Sequence, residues 1–237
     1  MKRIHGKRLF RKRRVALAIF AVILLAASGF WRLNQRDVQS WSWVVGNRVV
    51  VIDAGHGGVD PGAVSKNQTL EKDINLAVAK YLQLYVLQGG GQPVMVRESD
   101  LDLGTSEGLR QRKREDLAKR IELADQAQAD VFLSIHANSF PNEKLTGPQT
   151  FYHAGSAESQ ELARMIQKEL NAVAQSDRAA KDNQDYFILK RANQPTVTIE
   201  LGFLSNPVEE QWLLTPSYQQ KLAWAIYRGL CRYYYGS

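Results

Sequence analysis

Short apolar runs alternate along the chain with longer segments of helical character. Several runs, such as VVVI and VFLSI, are apolar almost throughout, which is typical of strands buried on both faces of a sheet. The predicted strands are residues 49–52, 94–97, 131–135, 150–153, 186–189 and 196–201. The predicted helices are residues 71–88, 109–128, 156–173, 207–213 and 216–233. This alternation predicts an α/β fold, a mostly parallel sheet with helices on both faces.

The longest apolar run, residues 15–31, contains no charged residue and follows a basic tail. Eight of the first fourteen residues are Lys or Arg, and none is acidic. A basic segment before such a run is typical of an export signal or membrane anchor. The run is short for a bilayer span, which needs ~20 residues, so anchor and cleaved signal both remain open. We expect a linker at 32–47 and an extracytoplasmic domain at 48–237.

The net charge of +7 belongs to the tail. Without its eight basic residues the rest carries 7 − 8 = −1, so we predict no nucleic-acid partner. A second basic run on the helix at 109–128 is interpreted as a solvated face balanced by neighbouring acids. The basic residues of this run are Arg110, Arg112, Lys113, Arg114, Lys119 and Arg120. Cys231 cannot form an internal disulfide and is interpreted as a packed apolar residue.

Two of the four histidines directly follow predicted strands. His56 stands in IDAGHGGVDPG and His136 in FLSIHANS. In an open α/β sheet, ligands bind beyond the carboxyl ends of the strands. We therefore expect both imidazoles to face one crevice if their strands are close in the sheet. His153 ends another strand without a glycine-rich loop and is interpreted as an ordinary polar residue, and His5 lies in the tail.

Two glutamates stand where they can reach the same crevice. Glu71 opens a helix after Thr69, a candidate N-cap, and an acid there is also favoured by the helix dipole alone. The glycine-rich loop at 55–62 joins it to His56 and allows a tight turn. Glu200 lies late in an apolar strand, where an unpartnered carboxylate is costly. A buried ion pair and a site role are both open for Glu200 alone, and the two histidines favour the site.

These residues are the side chains that a zinc hydrolase needs. Two His and one carboxylate around an ion form a known catalytic arrangement, and a further carboxylate nearby can accept a proton. His56, Glu71, His136 and Glu200 supply these side chains, and the sequence has no GxSxG segment to suggest a serine nucleophile. Asn138 is a candidate substrate contact, although an Asn there also satisfies local backbone groups.

The same segments carry a family resemblance. IDAGHGGVDPGA, LEKDINLAVA, VFLSIHANS and IELGFLSN, in this order, closely resemble the zinc-dependent N-acetylmuramoyl-L-alanine amidases, over about residues 49–233. The resemblance implies a six-stranded sheet with flanking helices. It also implies that His56, Glu71 and His136 bind Zn²⁺ and that Glu200 is the catalytic acid/base.

Three more segments, RESDLDL, RQRKREDLAKRIELA and GPQTFYH, resemble the sporulation branch of the family, the CwlD type. The implied reaction cleaves the amide between N-acetylmuramic acid and L-alanine in peptidoglycan. In the sporulation branch this removes stem peptides from the spore cortex, for muramic-lactam formation and germination. The implied partners are peptidoglycan and, through the N-terminal segment, the membrane. The need for a protein activator stays open.

Two other functions compete with this interpretation. Another zinc peptidase acting on the stem peptide needs the same four side chains. A catalytically silent wall-binding module would show the loss of a ligand or of the acid, and the sequence retains all four.

Overall fold

The computed structural model describes residues 44–236. The predicted export segment at 1–31, and the predicted linker up to residue 43, therefore lie outside the described residues. Within the described part, no helix is both long enough and apolar enough to cross a bilayer. Residues 44–47 form a turn that leads into the first strand.

Six strands form one sheet, with the order β2-β1-β3-β6-β4-β5. The strands are β1 Val49–Ala54, β2 Gln92–Met95, β3 Val131–Asn138, β4 Gln149–Tyr152, β5 Lys181–Asp182 and β6 Thr196–Phe203. Strands β2, β1, β3 and β6 run parallel, whereas β4 is antiparallel to β6 and parallel to β5. The expected six-stranded, mostly parallel sheet is confirmed, with β1, β3 and β6 at the carboxyl-end crevice.

Helices cover both faces of the sheet. They are α1 Glu71–Gln88, α2 Leu109–Gln126, α3 Ala157–Ala174, α4 Phe187–Arg191, α5 Pro207–Leu213 and α6 Pro216–Tyr235. Val50 and Val51 of β1 point to opposite faces, and both are fully buried. A cluster that includes Val51, Phe132 and Ile121 packs α2 against one face. Helix α6 packs against α1 and α3, and both of these helices contact the sheet.

The predicted strand at 186–189 is wrong, because these residues belong to the turn before α4 and to α4 itself. A four-residue apolar run does not distinguish strand from helix. The Asn183 side chain decides the local structure, since its Oδ1 accepts from the backbone N–H of Asp185 at 2.8 Å and of Tyr186 at 2.9 Å. The sixth strand is instead β5, a two-residue strand for which the sequence pattern predicted none. Tyr186, predicted to begin a strand, is the N-cap residue of α4.

The predicted N-cap role of Thr69 is also wrong. Leu70 is the N-cap residue of α1 and provides no side-chain cap. The Thr69 hydroxyl instead donates to Glu210 Oε1 at 2.6 Å, and the Ser65 hydroxyl donates to the same oxygen. Thr69 therefore ties the loop before α1 to helix α5.

Candidate metal centre and active-site cleft

One cleft at the carboxyl ends of the central strands collects the predicted site residues. His56 follows β1, His136 lies near the end of β3, and Glu200 lies in β6. Glu71 is the first residue of α1. These four residues and Asn138 line a cleft of about 390 Å³. The sheet order explains this, because β1, β3 and β6 are consecutive neighbours.

His56, Glu71 and His136 form a compact group of potential metal ligands. Each offers one ligand atom, and these atoms all lie within 4.8 Å of one another. Glu71 Oε1 is 3.2 Å from His56 Nε2 and 2.9 Å from His136 Nδ1. The two imidazole rings are nearly perpendicular, at 82°, with centroids 4.9 Å apart. Two imidazole nitrogens and one carboxylate are a donor set that suits Zn²⁺, so the residues present fit the expected ion.

The Glu71 carboxylate is fixed from both sides. Its Oε2 accepts from the backbone N–H of Ala63 at 2.8 Å, and its Oε1 accepts from that of Ala137 at 3.1 Å. Burial raises the pKa of Glu71, but hydrogen bonds from His136 and His56 outweigh it and hold that pKa well below its usual range. The side chain is therefore ionised at neutral pH, the form that a metal ion requires.

A carboxylate that the sequence reasoning missed holds the other side of His56. Asp60 Oδ2 lies 2.9 Å from His56 Nδ1, and Lys113 Nζ lies 2.9 Å from Asp60 Oδ1. Burial lowers the pKa of His56, yet hydrogen bonds to Asp60 and Glu71 raise it to about 9. Carboxylates in this position orient metal-binding histidines and set their tautomer. The spacing of four residues within IDAGHGGVDPG is the sequence signal that points to Asp60.

Two glycines leave the space that the site side chains occupy. A Cβ at Gly55 would lie 2.2 Å from the His136 ring. A Cβ at Gly62 would lie 2.6 Å from Glu71 Oε2 and 2.7 Å from His56 Cδ2, and Gly62 also has φ of +70°. His56 itself has φ of +63°, a conformation that non-glycine residues seldom adopt.

Two buried arginines hold this loop by its carbonyl groups. Arg120 is 1% exposed and donates to the carbonyl oxygens of Ala54 at 3.1 Å and His56 at 2.9 Å. Its charge is balanced by Asp53 and Asp116. Arg97 donates to the carbonyl oxygens of Ala54, Gly55 and Lys72. The interpretation of the second basic run as a solvated face is therefore wrong for Arg120, whose charged partners draw it into the core.

Glu200 is nearly buried, at 7% exposed, and pairs in register with His136 across β6 and β3. Burial raises the pKa of Glu200 to about 7, against the opposing effect of His136. An acid with a pKa near the working pH can both accept and return a proton. Oε1 accepts from the Tyr186 hydroxyl at 3.4 Å.

Three other residues singled out in the sequence have different surroundings. Asn138 lines the cleft, and its backbone carbonyl accepts from the Leu204 N–H at 2.7 Å. His153 hydrogen-bonds within its own turn, where Gly155 N donates to its Nδ1 at 3.3 Å. Cys231 is buried, as expected.

Comparison with known proteins identifies the family. The family model for N-acetylmuramoyl-L-alanine amidases matches residues 50–232. The chain belongs to this family. The amidase is 38% identical over 216 residues to the germination-specific N-acetylmuramoyl-L-alanine amidase of Bacillus subtilis strain 168, with 90% of this chain and 91% of the relative covered. The resemblance seen in the four sequence segments is confirmed.

Solved structures agree with this assignment. The CwlD amidase from Clostridioides difficile, in complex with the GerS lipoprotein, matches with a TM-score of 0.77 and 42% identity, over 79% of this chain and 98% of that one. The catalytic domain of CwlV from Bacillus (Paenibacillus) polymyxa var. colistinus matches with a TM-score of 0.70 and 31% identity, over 78% and 97%. The amidase is thus an enzyme of cell-wall peptidoglycan, and its relatives imply action outside the cytoplasm.

Proposed function

We propose that this amidase is zinc-dependent and cleaves the bond between N-acetylmuramic acid and L-alanine in spore-cortex peptidoglycan. In this proposal His56, Glu71 and His136 hold the metal, and Glu200 is the general acid/base. The observation that carries it is the convergence of three ligand atoms within 4.8 Å of one another, beside a carboxyl group with a pKa of about 7.

Zn²⁺ held by these residues would supply Lewis-acid polarisation of the scissile carbonyl and a more acidic attacking water. The protein fixes the ligands beforehand. Asp60 holds His56 through Nδ1, which leaves Nε2 facing the cleft. The backbone N–H groups of Ala63 and Ala137 hold Glu71. A site built on fixed side chains loses little entropy when the reactants assemble.

Glu200 moves the proton in the proposed reaction. Its carboxylate accepts a proton from the attacking water and returns it to the nitrogen of the leaving alanine. The bond that forms joins water oxygen to the lactyl carbonyl carbon, and the bond that breaks is the amide C–N bond. Asn138, at the edge of the same cleft, is proposed to hydrogen-bond the substrate.

The choice of spore cortex as substrate rests on the resemblance to the sporulation branch and on a germination-specific relative. The CwlD amidase is a further match, at 42% identity. Because the CwlD structure contains the GerS lipoprotein, we extend the proposal to a protein partner for this chain. We also propose that the N-terminal segment exports the enzyme or anchors it to the membrane.

The experiment is a digestion of purified peptidoglycan by the full-length protein, with cortex and vegetative-wall material compared. We expect zinc-dependent release of stem peptides with a free N-terminal L-alanine, identified by mass spectrometry, and faster release from cortex. Cleavage within the stem peptide would instead identify another zinc peptidase. Binding of the wall without any cleavage would identify a silent module. Glu200→Gln is the matched control in each digestion.

A further inference from the structure

A tyrosine hydroxyl is the hydrogen-bond donor that the structure gives the Glu200 carboxylate. The Tyr186 hydroxyl lies 3.4 Å from Glu200 Oε1. Within the described residues, the buried Oε2 atom of Glu200 has no hydrogen-bond partner. The two carboxylate oxygens therefore differ, one facing a donor and the other unpartnered.

Tyr186 is placed by its surroundings and not by Glu200 alone. Its backbone N–H donates to Asn183 Oδ1 at 2.9 Å, and the Asn183 N–H in turn donates to the Tyr152 carbonyl at 2.8 Å. Its ring packs against Phe151, with centroids 5.6 Å apart. Tyr186 lines the same cleft as Glu200 and the three candidate ligands. Strand β4 and the turn before α4 thus fix where the phenol points.

We propose that Tyr186 is a positioning residue for the reaction, acting through Glu200. This rests on the proposed function, in which Glu200 transfers the proton. The phenol contacts Oε1, which restricts rotation of the carboxylate that accepts the proton of the attacking water. A separation of 3.4 Å is long for an O–H···O hydrogen bond, but catalytic hydrogen bonds often tighten only when the substrate is bound.

Tyr186→Phe separates this role from packing, because Phe keeps the ring against Phe151 and removes only the hydroxyl. A hydrogen bond to an ionised group changes an equilibrium constant by roughly 10- to 100-fold. We therefore expect kcat for stem-peptide release to fall by about that factor. KM, zinc content and the melting temperature should stay near wild-type values. Tyr152→Phe is the matched control, since its hydroxyl accepts only an exposed hydrogen bond from Gln160 of α3 among the described contacts.

A double-mutant cycle tests whether Tyr186 acts through Glu200. In a Glu200→Gln background the carboxylate that Tyr186 holds is gone, so adding Tyr186→Phe should change the residual rate by less than about twofold. An equal fall in both backgrounds would overturn the proposal, because Tyr186 would then act independently of Glu200. An unchanged kcat in Tyr186→Phe alone would also overturn it, as would a parallel loss of zinc.

The same assay keeps this inference distinct from the proposed function. Wild-type protein that releases no stem peptides with a free N-terminal L-alanine would overturn the proposed reaction and the role of Tyr186 with it. Wild-type release with an unaffected Tyr186→Phe variant would overturn only the role of Tyr186.

Discussion

Glu200 and His136 are register partners on neighbouring parallel strands. Side chains at paired positions of adjacent strands lie on the same face of a sheet. The backbone ladder between β3 and β6 therefore fixes the proposed acid/base beside a proposed metal ligand. Their separation does not depend on a mobile loop.

Glu200→Gln should lower activity on peptidoglycan by about 10²- to 10⁴-fold, because Gln cannot accept a proton at neutral pH. Zinc content should remain near wild type, since Glu200 is not a proposed ligand. Metal analysis beside the digestion assay checks both points. Loss of zinc would mean that ligand and base are misassigned, and full activity would mean that Glu200 is a structural acid.

His136→Ala should lose zinc and activity together, because it removes one of three proposed protein ligands. His153→Ala is the matched control, as His153 hydrogen-bonds only within its own turn among the contacts of the described residues. Zinc per chain is measured after dialysis, together with the release of stem peptides from peptidoglycan. Retention of wild-type zinc by His136→Ala would contradict the proposed metal centre.

Asp60→Asn should weaken zinc binding by about 10- to 100-fold, the usual effect of removing a carboxylate that orients a metal-binding histidine. The Asn side chain keeps the shape but not the charge that faces His56 Nδ1. Competition with a chromogenic chelator measures the affinity. Asp182→Asn, on the exposed strand β5, should bind zinc like wild type, and equal affinities for both variants would argue against the role of Asp60.

Metal-free protein should show a pH-dependent stability gap between wild type and Glu200→Gln. The pKa of Glu200 is raised from 4.5 to about 7 in the folded protein. Its stability contribution is therefore fully present below pH 4.5 and is lost as the pH rises through 7. Gln does not ionise, so the melting temperature of the variant should rise relative to that of wild type as the pH increases through this window, and the difference should then stay constant. Each kcal/mol of stability difference corresponds to about 2–4 °C in melting temperature. A difference in melting temperature between the two proteins that stays constant from pH 4 to 9 would show that Glu200 is not buried as an acid.

Arg120→Met should lower the free energy of unfolding by about 3–5 kcal/mol, because it leaves buried carboxylates without their cation. The acids concerned are Asp53 and Asp116. Arg48→Met breaks the exposed pair with Asp130 and should cost about 1 kcal/mol or less. Urea unfolding of both variants makes the comparison. Similar losses would mean that Arg120 does not anchor the loop that carries His56.

Local sequence patterns predicted the bounds of two helices. Helices α1 and α5 begin and end at the predicted residues, and α5 begins with Pro at its first position. The predicted convergence of His56, Glu71, His136 and Glu200 on one cleft rested on strand ends and glycines, and the described geometry brings these side chains together. Their chemical roles stay predictions.

The contributions of Asp60, Arg120 and Tyr186 depend on tertiary structure. Arg120 lies in a run of basic residues, and it is buried beside Asp53, a partner 67 positions away in sequence. Tyr186 belongs to an apolar run too short to distinguish helix from strand, so its side-chain direction was not predictable. Asp60 follows His56 by four residues, and the tertiary structure shows that its carboxylate reaches His56 Nδ1.

The proposed ligands come from three segments, and Glu71 and His136 are 65 residues apart in sequence. An unfolded chain does not hold these donors together, so zinc should bind the native state in preference to the denatured one. Preferential binding stabilises the native state by RT ln(1 + [L]/Kd). Zinc concentration outside the cytoplasm would then set the lifetime of the enzyme as well as its activity. Chelation would shorten the survival of the enzyme against proteases, even when substrate is absent.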